Sequence, residues 1–424
     1  VLGRRVIQRA GWSFADQALN SGTNFALSVV IARNVGAAEF GAFGLVFSCY
    51  LLAVGFTRAV AGEPLLVRAS VGHADMRHQL ATASTGTALV IGLLGSAACV
   101  VGGIATSGPT HVALLAFALL LPGLLVQDTL RHVSFAAGRP RDAFANDAVW
   151  GAAQLIGVVA LFRTGHVGLA SLTVAWGLGA TAAAVWALAA HRLLPAPTQA
   201  RPWLRRQRDL VPAFVGEFAT RNASTRLVVF VVAATAGLDA VAGMRAAQVI
   251  TGPATVLLLG AGLVTVPEAV RLHERNPELL PQLARRLTIG FGLGALAIGA
   301  TPLLLSDEAG TALLGASWEQ AKPVLLPQAL LLAAMGATTG WATGLRALGA
   351  ARSSLGARLV IAPIGLGAGA IGAVVDGAAG AVYGLAAVYL LGVAVWRRQF
   401  VAAAASSATT APPTGAHDAS STAS

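Results

Sequence analysis

Windows of about 20 apolar residues, the length a helix needs to cross the hydrocarbon core of a bilayer, recur about twelve times between Trp12 and Trp396. That recurrence fixes the solvent before anything else is known of the chain. Hydrophobic residues make up 56% and charged residues 11%, against about 25% charged in an ordinary soluble domain. The sequence predicts an all-α polytopic membrane protein. Its spans fall at approximately 12–33, 41–61, 80–105, 112–131, 143–163, 166–190, 211–235, 240–265, 287–305, 323–345, 357–375 and 378–396.

A net charge of +11 raises the question of nucleic acid, but the placement of the basic residues answers it. With the N-terminus inside, 22 of the 29 fall in alternate, cytoplasmic segments, three in outer segments and four within spans. Such alternation is the positive-inside rule; it predicts two cytoplasmic termini and an even number of spans. The charge encodes topology, so no nucleic-acid partner is expected. The basic start ahead of the long, polar first span reads as part of a retained helix rather than a cleaved signal peptide.

The halves repeat. Ser13 onward, SFADQALNSGTNFALSVVIARNVG, aligns with Ala213 onward, AFVGEFATRNASTRLVVFVVAATAG: Phe14 meets Phe214, Gln17 meets Glu217 and Leu27 meets Leu227. EPLLVR from Glu63 likewise resembles VPEAVR from Val266. The implied organisation is a cytoplasmic N-terminus (1–10), a six-helix bundle (11–190), a basic cytoplasmic linker (191–210), a second six-helix bundle (211–398) and a disordered tail (399–424). Even-numbered halves make the repeats parallel, as in many transporters. The tail reading rests on its Ala/Ser/Thr/Pro composition without hydrophobic period.

Each half opens on a polar helix. At about 100° per residue, Ser13, Asp16, Gln17, Asn20, Ser21, Asn24 and Ser28 share one arc of the first span. The seventh span carries Glu217, Arg221, Asn222, Thr225 and Arg226, and the eighth carries Arg245. A charge near the bilayer centre costs at least about 2.5–3.5 kcal/mol, so such groups face a bundle interior or a hydrated cavity. Glu217 and Arg221, at i and i+4, could simply neutralise each other and join helices. That leaves Arg226 and Arg245 without obvious acidic partners in the membrane. A cationic interior attracts anions, and Arg suits bidentate phosphate or carboxylate contacts. The residues predicted to line an anion-binding cavity are Arg221, Arg226, Arg245, Asn20, Asn24 and Asn222, with Asp16, Gln17 and Glu217 as coupling or gating groups nearer the cytoplasmic mouth.

Three motifs then carry a resemblance. ARNVGAAEFGAFGLV (Ala32 to Val46), GMRAAQVITGPATVLLLGAGLVTVPEAVR (Gly243 to Arg271) and LLGASWEQAKPVL (Leu313 to Leu325) resemble the polysaccharide/oligosaccharide flippases of the MOP superfamily, relatives of the MATE exporters. The resemblance spans roughly residues 5–398. It implies two six-helix bundles around a central cavity lined by the first and seventh helices. It also implies movement of a lipid-linked glycan, usually on a polyprenyl pyrophosphate, across a bacterial inner membrane for cell-surface polysaccharide synthesis. The partners it implies are the lipid-linked glycan, membrane lipids and other polysaccharide-assembly proteins. No catalytic residue, metal or cofactor is expected, and a coupling ion, H⁺ or Na⁺, is left open. The alternatives are a MATE-like small-molecule exporter and a membrane glycan polymerase or ligase. Against the exporter of cationic drugs stand the arginines; against the enzyme stands the lack of a substantial outer loop.

Other patterns are structural. GAGAIG (Gly367 to Gly372) lacks a surrounding βαβ unit and reads as helix packing. Pro122, Pro253, Pro302 and Pro363 interrupt spans, where neighbours can re-satisfy the freed carbonyls. Asp128 and Asp147, beside Arg131 and Arg141, read as local ion pairs.

Overall fold

A computed structural model describes residues 2–69, 74–220 and 224–410. Among them there is no strand. In the first half α1 (Leu2–Asn34), α2 (Ala37–Thr57), α3 (Glu63–Ala69), α4 (Ala74–Ile104), α5 (Gly108–Ala118), α6 (Leu121–Ala136), α7 (Pro140–Thr164) and α8 (Leu169–His191) follow one another. The short α9 (Ala200–Arg206) lies in the linker. The second half holds α10 (Val211–Phe218), α11 (Ser224–Ile250), α12 (Gly252–Arg275), α13 (Leu280–Ala300), α14 (Asp307–Leu314), α15 (Trp318–Ala347) and α16 (Ala351–Thr410).

Eight of the described helices are long and apolar enough to cross a membrane, or nine if α5 and α6, bent by 53° at their junction, form one span. The count covers the described residues alone, and within them it falls below the twelve of the hydrophobic pattern for two physical reasons. The polar stripe lowers the hydropathy of α1, and several breaks fall inside continuous helices. Gly237 (φ 82°, ψ −179°) divides α11, and Asp376–Gly377 divides the 60 residues of α16, with Gly377 at φ 53°. Both glycines occupy backbone conformations that a side chain would strain. They mark the places where the sequence separates its seventh from its eighth span and its eleventh from its twelfth.

The prolines do not mark these breaks. Pro122 and Pro253 stand in the first turns of α6 and α12, where a missing N–H leaves no intrahelical bond unmade, and Pro302 lies in a 3₁₀ turn after α13. Pro363 lies inside α16, whose break comes later, at Asp376–Gly377. The tail also differs from the expectation of disorder from residue 399: α16 continues to Thr410. Ala402 to Ala405 supply the residue of highest helix propensity, which lets the span extend past its basic end. Residues 411–424 lie outside the described residues.

The first half is built around Trp176, fully buried, whose ring meets Tyr50 at 5.0 Å, Phe47 at 5.9 Å, Phe43 at 6.0 Å and Phe117 at 6.2 Å. Aromatic pairs at such spacings add about 0.5–1.5 kcal/mol beyond the area they bury. The linker docks on this half: Trp203 of α9 donates its indole N–H to the Val60 carbonyl at 2.9 Å, and Arg68 pairs with Asp209. Val60 belongs to a five-residue π turn, Arg58–Gly62, between α2 and α3.

The halves meet along a seam between α2 and α11. Gly41 lies directly against the Leu238 backbone, and Gly44 faces Val241 and the stem of Arg245. Small residues permit this approach where a side chain would force the helices apart. Gly315, in the turn after α14, rests against the backbone of Ala32 and Arg33 at the end of α1. Gly369 and Gly372, from the fingerprint-like run, pack on Val228 and Gly380.

Candidate functional site

The polar stripe of α1 divides into two environments. Toward its N-terminal end, Asp16 is 1% exposed and accepts a bond from Arg131 of α6 at 2.5 Å. Arg131 is a hub. It also lies 3.4 Å from Asp147 of α7 and 3.5 Å from Asp128, one helical turn before it. Asp147 accepts from Asn20 at 3.0 Å and from Gln127 at 2.8 Å. Asp128 is gripped bidentately by Arg58, at 2.9 and 2.6 Å, from the π turn. His132 Nδ1 lies 2.9 Å from the Asp128 carbonyl oxygen, so that nitrogen carries the proton. Three carboxylates thus meet two guanidiniums inside the first half.

This placement corrects the reading of Asp16 as a carboxylate at the cavity mouth: it is buried against Arg131. The physical reason is the cost of an isolated buried charge, several kcal/mol per ion even after relaxation, which only a close partner offsets. The ion pair expected between Asp128 and Arg131 is present and extends to Asp147. Arg141, by contrast, lies 3.6 Å from Asp142. Gln17 is exposed and donates to Ser21 at 3.2 Å.

Farther along α1, the stripe meets the second half. Arg245 of α11 donates to Ser28 at 2.8 Å, and the Ser28 hydroxyl in turn donates to the Asn24 carbonyl at 2.8 Å. The same guanidinium lies 3.7 Å from the centroid of Phe47, the edge of the aromatic core. Among the described residues its buried Nε has no partner, and neither does Asn24 Oδ1. Arg226, half-buried one arm earlier on α11, is close enough to Arg245 for the two charges to repel, and Tyr389 is its polar neighbour. Among the described residues neither Arg226 nor Arg245 has a carboxylate within ion-pair distance.

Glu217 pairs with Arg358 of α16 at 3.1 Å, a partner 141 residues away. Arg358 also lies 5.9 Å from the Trp396 ring. Arg221 and Asn222, two of the predicted cavity residues, lie outside the described residues. The predicted set is therefore split: Asp16 and Asn20 belong to an ion-pair network within the first half, Asn24 is linked to Arg245 through Ser28, Arg226 lies on the same helix as Arg245, and Glu217 of α10 pairs with Arg358 of α16. Sequence reasoning missed Arg58, Arg358 and the seat provided by Phe47. The available signal was energetic: Arg58 within a span must find a counter-charge.

No family model and no curated protein matches the sequence. Solved structures do. An inward-facing MATE family multidrug resistance transporter of the MOP superfamily superposes with a TM-score of 0.74 at 15% identity, over 93% of this chain and 96% of that one. The lipid II flippase MurJ, in an inward closed conformation, gives 0.68 at 13% identity over 94% and 90%. An outward-facing MATE transporter of the same superfamily gives 0.61 at 14% identity over 94% and 96%. The chain has the fold shared by MATE transporters and MurJ.

Proposed function

We propose that this chain is a MOP-superfamily transporter that moves a polyprenyl-pyrophosphate-linked oligosaccharide across a bacterial inner membrane by alternating access, in the synthesis of a cell-surface polysaccharide, and is not an enzyme. Twelve spans with both termini cytoplasmic complete this reading. The observation that carries it is the pair Arg226 and Arg245 of α11: among the described residues neither has a carboxylate within ion-pair distance, and Arg245, at the junction of the halves, has a buried donor unmade. A pyrophosphate has the oxygens and the charge to satisfy both.

The geometry supplies a mechanism. In the present arrangement Arg245 is held by Ser28 and Phe47 of the first half, so the outer part of the seam is latched. An anionic head group reaching Arg226 and Arg245 from the cytoplasmic side competes for that guanidinium. Releasing Ser28 unlatches the seam and frees the halves to rock. The better superposition on the inward-facing than on the outward-facing transporter, 0.74 against 0.61, supports an inward-facing resting state. The lipid tail remains in the bilayer between the halves.

The MATE-like exporter is the second reading, favoured by the TM-score of 0.74 to a multidrug transporter. One experiment separates them. Wild type, Arg226→Ala and Arg221→Ala/Arg226→Ala are reconstituted in liposomes, and leaflet exchange of a labelled polyprenyl-pyrophosphate oligosaccharide is measured beside uptake of a cationic dye. The expected result is glycolipid movement by wild type and a loss of about 10–100-fold in the variants, the worth of one charge-assisted bond. Dye movement without glycolipid movement transfers the assignment to the exporter. Glycolipid movement equal in all three proteins removes the arginines from the site.

A further inference from the structure

A cavity of 740 Å³ opens at the cytoplasmic end of the second half, among α13, α15 and α16. Its walls are almost wholly apolar. Trp341 and Phe400, packed at 5.3 Å, form one side with Val401, while Arg285 of α13, Arg397 of α16 and Gln282 provide the polar groups. Both arginines are exposed, and neither makes an ion pair or side-chain hydrogen bond among the described residues. No carboxylate lines the cavity. Two helices therefore bring like charges to the rim of one apolar cavity, where an anion can meet both.

We infer that this cavity is a binding site for an anionic phospholipid of the inner leaflet, its phosphate held by Arg285, Arg397 and Gln282 and an acyl chain lying along Val401 and Pro281, over the buried pair Trp341 and Phe400. Three observations select a lipid over other occupants. The apolar walls require a hydrocarbon portion, which inorganic phosphate and nucleotides lack. The arginines lie at the basic, cytoplasmic ends of their helices, at head-group depth, where basic pockets between spanning helices bind anionic lipids. Trp341 has the amphipathic ring that belongs at that interface. Neither Arg226 nor Arg245 lines the cavity, so the lipid assigned here is a resident ligand rather than cargo. Bound there, it ties α13 to α16.

The test uses the full chain in detergent, comparing wild type with Arg285→Gln/Arg397→Gln, both positions exposed and therefore free of folding cost. Native mass spectrometry counts retained lipid after addition of phosphatidylglycerol, phosphatidylcholine or glycerol phosphate, and thermal midpoints are recorded in parallel. Wild type is expected to retain phosphatidylglycerol about 30-fold more tightly than the variant, from about 1 kcal/mol per basic residue. Retention of phosphatidylcholine is expected to be weak and unchanged by the substitutions. Glycerol phosphate is expected to bind neither protein; if it binds wild type as well as the lipid does, the ligand is a free phosphate compound and the lipid assignment falls. Equal phosphatidylglycerol retention by the two proteins overturns the site itself. Neither outcome bears on glycolipid transport through Arg226 and Arg245.

Discussion

Arg245 belongs by sequence to the second half and by contact to the first. Its Cα lies on α11, its hydrogen bond is to Ser28 and its guanidinium face is on Phe47. Lysine keeps the charge but loses the planar stack. Arg245→Lys is therefore expected to raise the labelling, by an impermeant thiol reagent from outside, of a cysteine placed at Leu238 in a background lacking Cys49 and Cys99; unchanged labelling removes the latch. Arg131 is the opposite case, a cation with too many partners to move. Arg131→Met leaves Asp16, Asp128 and Asp147 around an apolar side chain and is expected to cost about 3–5 kcal/mol. Part of that loss should return in Arg131→Met/Asp16→Asn, read as thermal midpoints in detergent; no recovery means that the two residues are not coupled. The periodicity of α1 made Asp16 and Asn20 visible as interior groups. Their partners lie 115 and 127 residues away, and no local spacing encodes which of several interior arginines or aspartates closes such a pair.

At the scale of elements, hydrophobic runs located the helices well because each span must satisfy its own backbone in lipid. Two of the breaks were legible as well, since the gaps between the seventh and eighth and between the eleventh and twelfth apolar windows fall at Gly237 and at Asp376–Gly377. Proline is conspicuous in a sequence, yet Pro363 sits within a continuous part of α16, while Asp376–Gly377 turns the chain. A glycine's φ is invisible among the 49 glycines of the chain, since packing and turning call for the same residue. Gly377→Val is expected to destabilise by about 1–3 kcal/mol through its positive φ, whereas Pro363→Ala should leave the thermal midpoint near wild type. Equal effects would place the hinge at Pro363. The helical extension to Thr410 was hidden for a related reason: an alanine run without hydrophobic period looks the same to a pattern search whether it is coil or helix.

For the whole molecule, the charge pattern makes a claim that contacts within the protein do not address: both termini face the cytoplasm. A reporter that fluoresces only in the cytoplasm, fused to either end, is expected to be bright in both fusions. One dark fusion means an odd number of spans and undoes the two-bundle reading of the sequence. The fold itself was legible because apolar length and polar leading helices are global properties, while the seam between the halves depends on Gly41 and Gly44 approaching α11, a contact no single-helix pattern contains. The second arm of α16 adds a mechanical consequence. From Gly377 to Thr410 it is a rod of about 50 Å at 1.5 Å per residue, pivoted near one end. Each degree of tilt at that pivot sweeps the far tip through about 0.9 Å by the same arithmetic. By geometry alone, a small angular change at Gly377 becomes a larger displacement at Thr410, so whatever rests on that tip is moved farther than the helices that turn.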